Sequence, residues 1–153
     1  TTTIIINVLF GVLTAGIFVW AGSNNFGLLY MVDLPLWTEV LLGVMILDMI
    51  AQYLVHYLLH RVSFMWRFHM VHHSDTHVDV TTGTRHHPGD YMFREIFALG
   101  AILIGGIPFG IYMIYRITTV VCTYWSHSNL NLPKGFDKFL SYLLIIIFFY
   151  ISK

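Results

Sequence analysis

The chain has 153 residues, of which 57% are hydrophobic and 10% charged, and its mean hydropathy is +0.71. A soluble domain carries roughly 25% charged residues, so burial in a membrane is the simplest reading. Eight basic and eight acidic residues leave no net charge, which argues against a nucleic-acid partner.

The charge is unevenly placed. No charged residue precedes Asp33, the first basic residue is Arg61, and Arg61, Arg67, Arg85 and Arg94 share one polar stretch. The single cysteine, Cys122, rules out an intrachain disulfide and fits a reducing compartment. There is no Asn-x-Ser/Thr acceptor for glycosylation. The chain opens on Thr1 inside one apolar run and stops within another, Leu140 to Ile151, so we read it as a fragment, with one domain over residues 1–153.

The first apolar segment, Ile4 to Ala21, has no basic region before it. It predicts a membrane helix rather than a signal peptide. Residues 22–27 read as a polar turn. Pro35 then stands where helices favour proline, and a second helix is expected from Leu36 to His60. Residues 61–94 are polar. A further apolar block, Ile96 to Thr123, is interrupted by Gly105-Gly-Ile-Pro108. That punctuation favours a helical hairpin over one kinked span. A polar segment from Ser126 to Lys138 and an apolar one from Phe139 to Ile151 follow. The basic residues put the 61–94 and 126–138 stretches on the cytoplasmic side. The expected fold is all-α: a multi-pass, integral membrane helical bundle with a cytoplasmic, histidine-rich, metal-binding cap.

Eight of the nine histidines fall within residues 56–87. His56 and His60 are spaced i, i+4, one turn apart on one helix face, and Asp48 and Gln52 extend the stripe backward. A carboxylate in a membrane helix is expensive unless it is paired or functional. Asp48 is therefore a candidate acceptor that fixes the tautomer of a ligating histidine. His69, His72 and His73 repeat the pattern at i, i+3 and i+4. Five such rings exceed what one tetrahedral zinc needs and suit two first-row ions, although imidazole alone does not name the metal. His77 reads as a solvated loop residue, and His86 is open to either reading. Trp66, Phe64, Phe68 and Met70 read as packing residues.

The pattern resembles the fatty acid hydroxylase and sterol desaturase superfamily of membrane di-iron enzymes. Asp48 with His56-Tyr-Leu-Leu-His60-Arg61 is similar to its first histidine box, and Trp66-Arg-Phe-His69-Met-Val-His72-His73 to its second. Arg85-His86-His87-Pro88 resembles the bacterial sterol-desaturase-like branch through His87, and Trp125-Ser-His127 resembles a later single-histidine element. The resemblance covers residues 48–145, with the histidine core at 48–138. It implies His56, His60, His69, His72, His73, His87 and His127 as ligands of two iron ions, with zinc a possible substitute. It also implies O₂-dependent hydroxylation or desaturation of a lipid, with electrons from an external donor such as cytochrome b5, a ferredoxin or a reductase. The chain departs from the family in one place: no third box, His-x-x-His-His, follows His127.

Three other classes compete. A zinc protease of the usual type needs Glu after the first histidine, and position 57 is Tyr. A non-catalytic haem or metal carrier would need fewer histidines, or polar residues deep in several spans. An inactive fragment would keep the helices and part of the cluster.

Overall fold

The structure, a computed structural model, describes residues 2–74 and 82–127, with positions 133, 135 and 138. Among these residues the chain is helical and has no strand. Helix α1 spans Thr2–Asn24. After a 3₁₀ turn at Leu28–Met31 comes α2, Leu36–Leu47, which runs through a π-helical segment, Asp48–Leu54, into α3, Val55–Arg61. Helix α4 covers Ser63–His69, α5 Pro88–Gly105 and α6 Phe109–His127.

Two stretches, Ile4–Met31 and Leu36–Arg61, are long and apolar enough to cross a membrane. Most outward side chains of α1 are apolar; Ile4, Val12 and Val19 are all about two-thirds exposed or more. Such a face suits lipid, because no hydrophobic gain follows from burying it against protein there. Inside, Leu47, Ala101, Ile102, Ile111 and Tyr115 form the main core between α2, α5 and α6. A smaller cluster of Val55, Leu59 and Met65 seats α4 beneath α3.

The turn anticipated at Gly105 to Pro108 separates α5 from α6. Gly106 is left-handed (φ 64°, ψ 41°), and its N–H and that of Ile107 both donate to the Ile102 carbonyl, at 2.9 and 3.1 Å. This is how a glycine closes a helix C-terminus. Its backbone lies against Gly27 (φ 119°): a Cβ on Gly27 would stand 2.2 Å from the Gly106 nitrogen. Two glycines therefore let the α1–α2 and α5–α6 connections touch at one end of the bundle. The C-termini of α3 and α6 and the N-terminus of α5 are left together at the other end, where the histidines are.

The helix boundaries mostly extend the sequence expectation by a turn, but two features differ in kind. The stripe drawn through Asp48, Gln52, His56 and His60 at α-helical spacing passes through the π segment. Each residue there advances by less than ~100° around the axis, because the hydrogen bonds reach to i+5. Asp48 stands two turns down the helix from His56, at the level of α6, where Tyr115 and Cys122 are its electrostatic neighbours. Second, α5 begins at Pro88, well before the apolar run at Ile96, because proline is pre-set for the first helical position.

Replacing Gly106 by Ala is expected to destabilise the protein by at least about 1–2 kcal/mol. Left-handed backbone costs that much for a residue with a Cβ, and the new atom would also meet Gly27. Thermal unfolding in detergent checks this; an unchanged midpoint would contradict the contact.

Candidate metal centre

His56 and His60 project from the last turns of α3, and their Nε2 atoms are 3.1 Å apart. Helix α4 then brings His69 beneath them, fully buried. The His69 ring centroid is 4.9 Å from both His56 and His60. The expected continuous helical face at 69–73 is not formed. Helix α4 ends at His69, and after a turn a 3₁₀ segment carries His72–Ser74. The tighter winding still returns His73 to the group: its Nε2 is 3.2 Å from His69 Nε2, and its ring is 4.9 Å from His60.

A second lobe adjoins the first. His72 stacks on His86 at 4.4 Å and meets His127, from the end of α6, edge-on at 5.8 Å. His127 Nδ1 lies 2.8 Å from the Thr123 carbonyl. Donation to that oxygen makes Nε2 the lone-pair nitrogen of the neutral ring. His72 Nδ1 is buried without a hydrogen-bond partner.

Both lobes are held by a carboxylate that the sequence reading did not select. Asp90, fully buried in the first turn of α5, accepts from His69 Nδ1 at 2.7 Å and His86 Nδ1 at 3.0 Å through Oδ2, and from Arg94 Nε at 2.8 Å through Oδ1. Burial works against its charge, but the two histidine bonds and the Arg94 guanidinium outweigh it and hold the carboxyl well below its usual range. A proton fixed on Nδ1 leaves Nε2 of His69 with its lone pair toward the cluster, the arrangement in which a carboxylate orients a metal-ligating histidine. The signal for Asp90 was present: Pro88 opening a helix, an acid in its first turn and Arg94 at i+4.

Asp48 does not have the role expected of it. It is buried, and neither carboxylate oxygen has a hydrogen-bond partner, so Asp90 and not Asp48 orients the histidines. His87 also falls outside the cluster. It is the N-cap of α5, its Nδ1 accepting from the Gly89 N–H at 3.0 Å, and its ring packs 5.1 Å from Phe68. Its neighbour His86 points inward instead. His86 Nε2 is 3.2 Å from the Gly83 carbonyl, a contact it would give up to bind an ion. His77 lies outside the described residues.

The geometry fits a first-row metal. Imidazole nitrogens bind such ions at about 2.0–2.1 Å, so two on one ion stand roughly 3 Å apart, as the 3.1 and 3.2 Å Nε2 pairs do. Ligand atoms of His56, His60 and His69 lie within 4.8 Å of one another. Protonation is also disfavoured. Burial, then the neighbouring His86 and His69, lower His72 from 6.5 to about 4, and burial and His69 lower His73. Neutral imidazole is the ligating form.

Two expectations follow. Asp90→Asn weakens metal binding by on the order of ten- to a hundredfold, as read by chelator competition; undiminished affinity would remove Asp90 from the centre. The metal-free protein loses stability as pH falls from 6.5 toward about 4, because His72 takes a proton more readily unfolded than folded. Urea unfolding across that window checks the sign, and His72→Ala flattens the slope.

Comparison with known proteins shows the family. The profile of the fatty acid hydroxylase family matches residues 40–149, a range holding every histidine described above. The ornithine lipid hydroxylase OlsE of Rhizobium tropici is 30% identical over 101 residues, covering 66% of this chain and 30% of that protein. This chain thus corresponds to less than a third of its curated relative. No solved structure matches it. With the histidines of α3, α4 and α6 gathered at one end of an apolar bundle, and the family profile spanning all of them, the chain belongs to the fatty acid hydroxylase family.

Proposed function

We propose that this chain carries the metal centre of a membrane-bound, non-haem di-iron oxygenase that hydroxylates or desaturates a lipid. The observation that carries the reading is the joining of two histidine lobes through His69 and Asp90 at one end of membrane-type helices. His56, His60, His69 and His73 would hold one ion, and His72, His86 and His127 the other, with zinc able to substitute for iron. OlsE, by its name a hydroxylase of ornithine lipid, supports a lipid as substrate.

Bound iron supplies the oxidising power to attack an unactivated C–H bond. The chain's own residues do the rest. Asp90 keeps the Nδ1 protons of His69 and His86 in place, so that Nε2 is the donor atom. Arg94, bonded to Asp90 and 3.4 Å from both Gln52 Oε1 and His56 Nδ1, ties α5 to the helix that carries the first box. Trp66 lies 5.3 Å from His60 and 5.6 Å from His73 and packs beside the first lobe. The apolar helices admit a lipid and exclude bulk water from the reacting carbon. The four arginines of the 61–94 stretch favour the cytoplasmic side for this end, where an external electron donor (cytochrome b5, a ferredoxin or a reductase) would dock.

Elemental analysis of detergent-purified protein, expressed with iron supplementation, is expected to give close to two iron or zinc ions per chain. His72→Ala/His73→Ala should lose most of this metal. Lipid extracts from expressing cells should then contain a species with one added oxygen or two fewer hydrogens, absent with the double variant. One ion or none would sink the dinuclear reading, and a haem Soret band would replace it.

A further inference from the structure

Beside the histidine cluster, a groove of about 490 Å³ opens between α1, α5 and α6. Phe18 and Phe109, whose rings meet at 5.4 Å, make one end apolar, and Asn7, Gly11 and Thr14 of α1 line the wall beyond them. The other holds Tyr91, Glu95 and Arg116, and Tyr91 lies 5.3 Å from the His86 ring. Arg116 Nη1 donates to Glu95 Oε1 at 3.0 Å, while the arginine side chain stays 49% exposed and the glutamate 12%. The outward neighbours of Arg116 on α6, among them Met113, Ile117 and Val120, are apolar. A charge pair on such a surface is expensive and is a functional-site hypothesis by default.

We propose that this groove binds a lipid with a zwitterionic headgroup, its anionic group on Arg116 and its ammonium on Glu95. The bond between the two residues engages one guanidinium nitrogen and one carboxylate oxygen. Both side chains line the groove and the guanidinium also stands 5.8 Å over the Tyr112 ring, so a ligand in the groove would meet the polar atoms that the pair leaves over. A purely anionic headgroup would have to compete with Glu95, and a purely cationic one with Arg116. A zwitterion satisfies both and keeps the site neutral. The apolar end takes the first part of the acyl chain along α1. In naming a lipid, the proposal rests on the lipid-oxidising function proposed above, but its test needs neither metal nor turnover.

The whole chain, stripped of metal, is equilibrated in detergent micelles holding equal amounts of phosphatidylethanolamine and phosphatidylglycerol with the same acyl chains. The lipid retained after purification is then counted by mass spectrometry. The wild type should be enriched in phosphatidylethanolamine relative to the micelle. Glu95→Gln should shift the ratio toward phosphatidylglycerol by on the order of tenfold, the usual worth of one charge-assisted hydrogen bond. Arg116→Gln should lower retention of both. Gly11→Leu decides the matter independently of the ion pair: Gly11 lines the groove and a Cβ there meets nothing within 4 Å, so the added side chain takes up groove space without a clash at its root. It should reduce retention of both lipids with a melting temperature equal to or above that of the wild type, since leucine favours a helix over glycine. A wild-type ratio equal to that of the micelle, as would follow if another stretch of protein fills the groove, overturns the proposal. So does full retention by Gly11→Leu. Failure of the metal centre would show in the elemental analysis while leaving lipid retention intact.

Discussion

Asp90 is a carboxylate with no exposed surface that collects three donors from two directions. An ion buried this deeply survives only if its partners are in place, and its partners are what the site is made of. His69 reaches it from the end of α4, His86 from the loop before α5 and Arg94 from the next turn of α5. Through Arg94 the network continues to Gln52 and His56 on the helix opposite. The position of α4, the entry angle of α5 and the orientation of the central imidazoles are thus one problem with one solution. The cost of burying the charge is offset only when all three are right.

The rest of the bundle delivers these groups to one place. Contact between Gly27 and Gly106 lets the two helix connections nest at the far end, and Gly43, whose added Cβ would stand 2.8 Å from Ile111, brings α2 close to α6. Small residues at helix interfaces are how apolar helices associate where water supplies no driving force. With the far end fixed, the helices bring His56, His60, His86 and His127 to the near end, and the smaller core around Leu59 and Met65 lifts α4 up to meet them.

Asp48 and the Glu95–Arg116 pair lie outside that network. Asp48 stands in the π-helical segment with both oxygens unbonded, and a π segment is the kind of irregularity that persists where function requires it. The Glu95–Arg116 pair instead stands in an open groove whose polar end reaches the cluster through Tyr91.

The sequence by itself determined the all-helical, membrane-type character, the hairpin at Gly105–Pro108 and the histidines at 56, 60, 69, 72 and 73. The helical character, the hairpin and the His56–His60 pair follow from local composition and spacing, whereas His72 and His73 reach the cluster through a 3₁₀ turn and not along the helical face that their spacing suggested. His127 was reached through resemblance, and the structure brings it to His72. Tertiary structure decided what spacing cannot. Asp90 and not Asp48 supports the histidines, because helix α5 starts early enough to carry Asp90 to His69 and His86, while Asp48 stands two turns down its helix with neither oxygen bonded. His86 joins the cluster and His87 does not, because the residue ahead of a helix-opening proline turns its ring back to cap the helix and its neighbour is left facing inward. The groove of Glu95 and Arg116 joins residues twenty-one apart in sequence. No periodicity marks such a pair; only the packing of α1, α5 and α6 does.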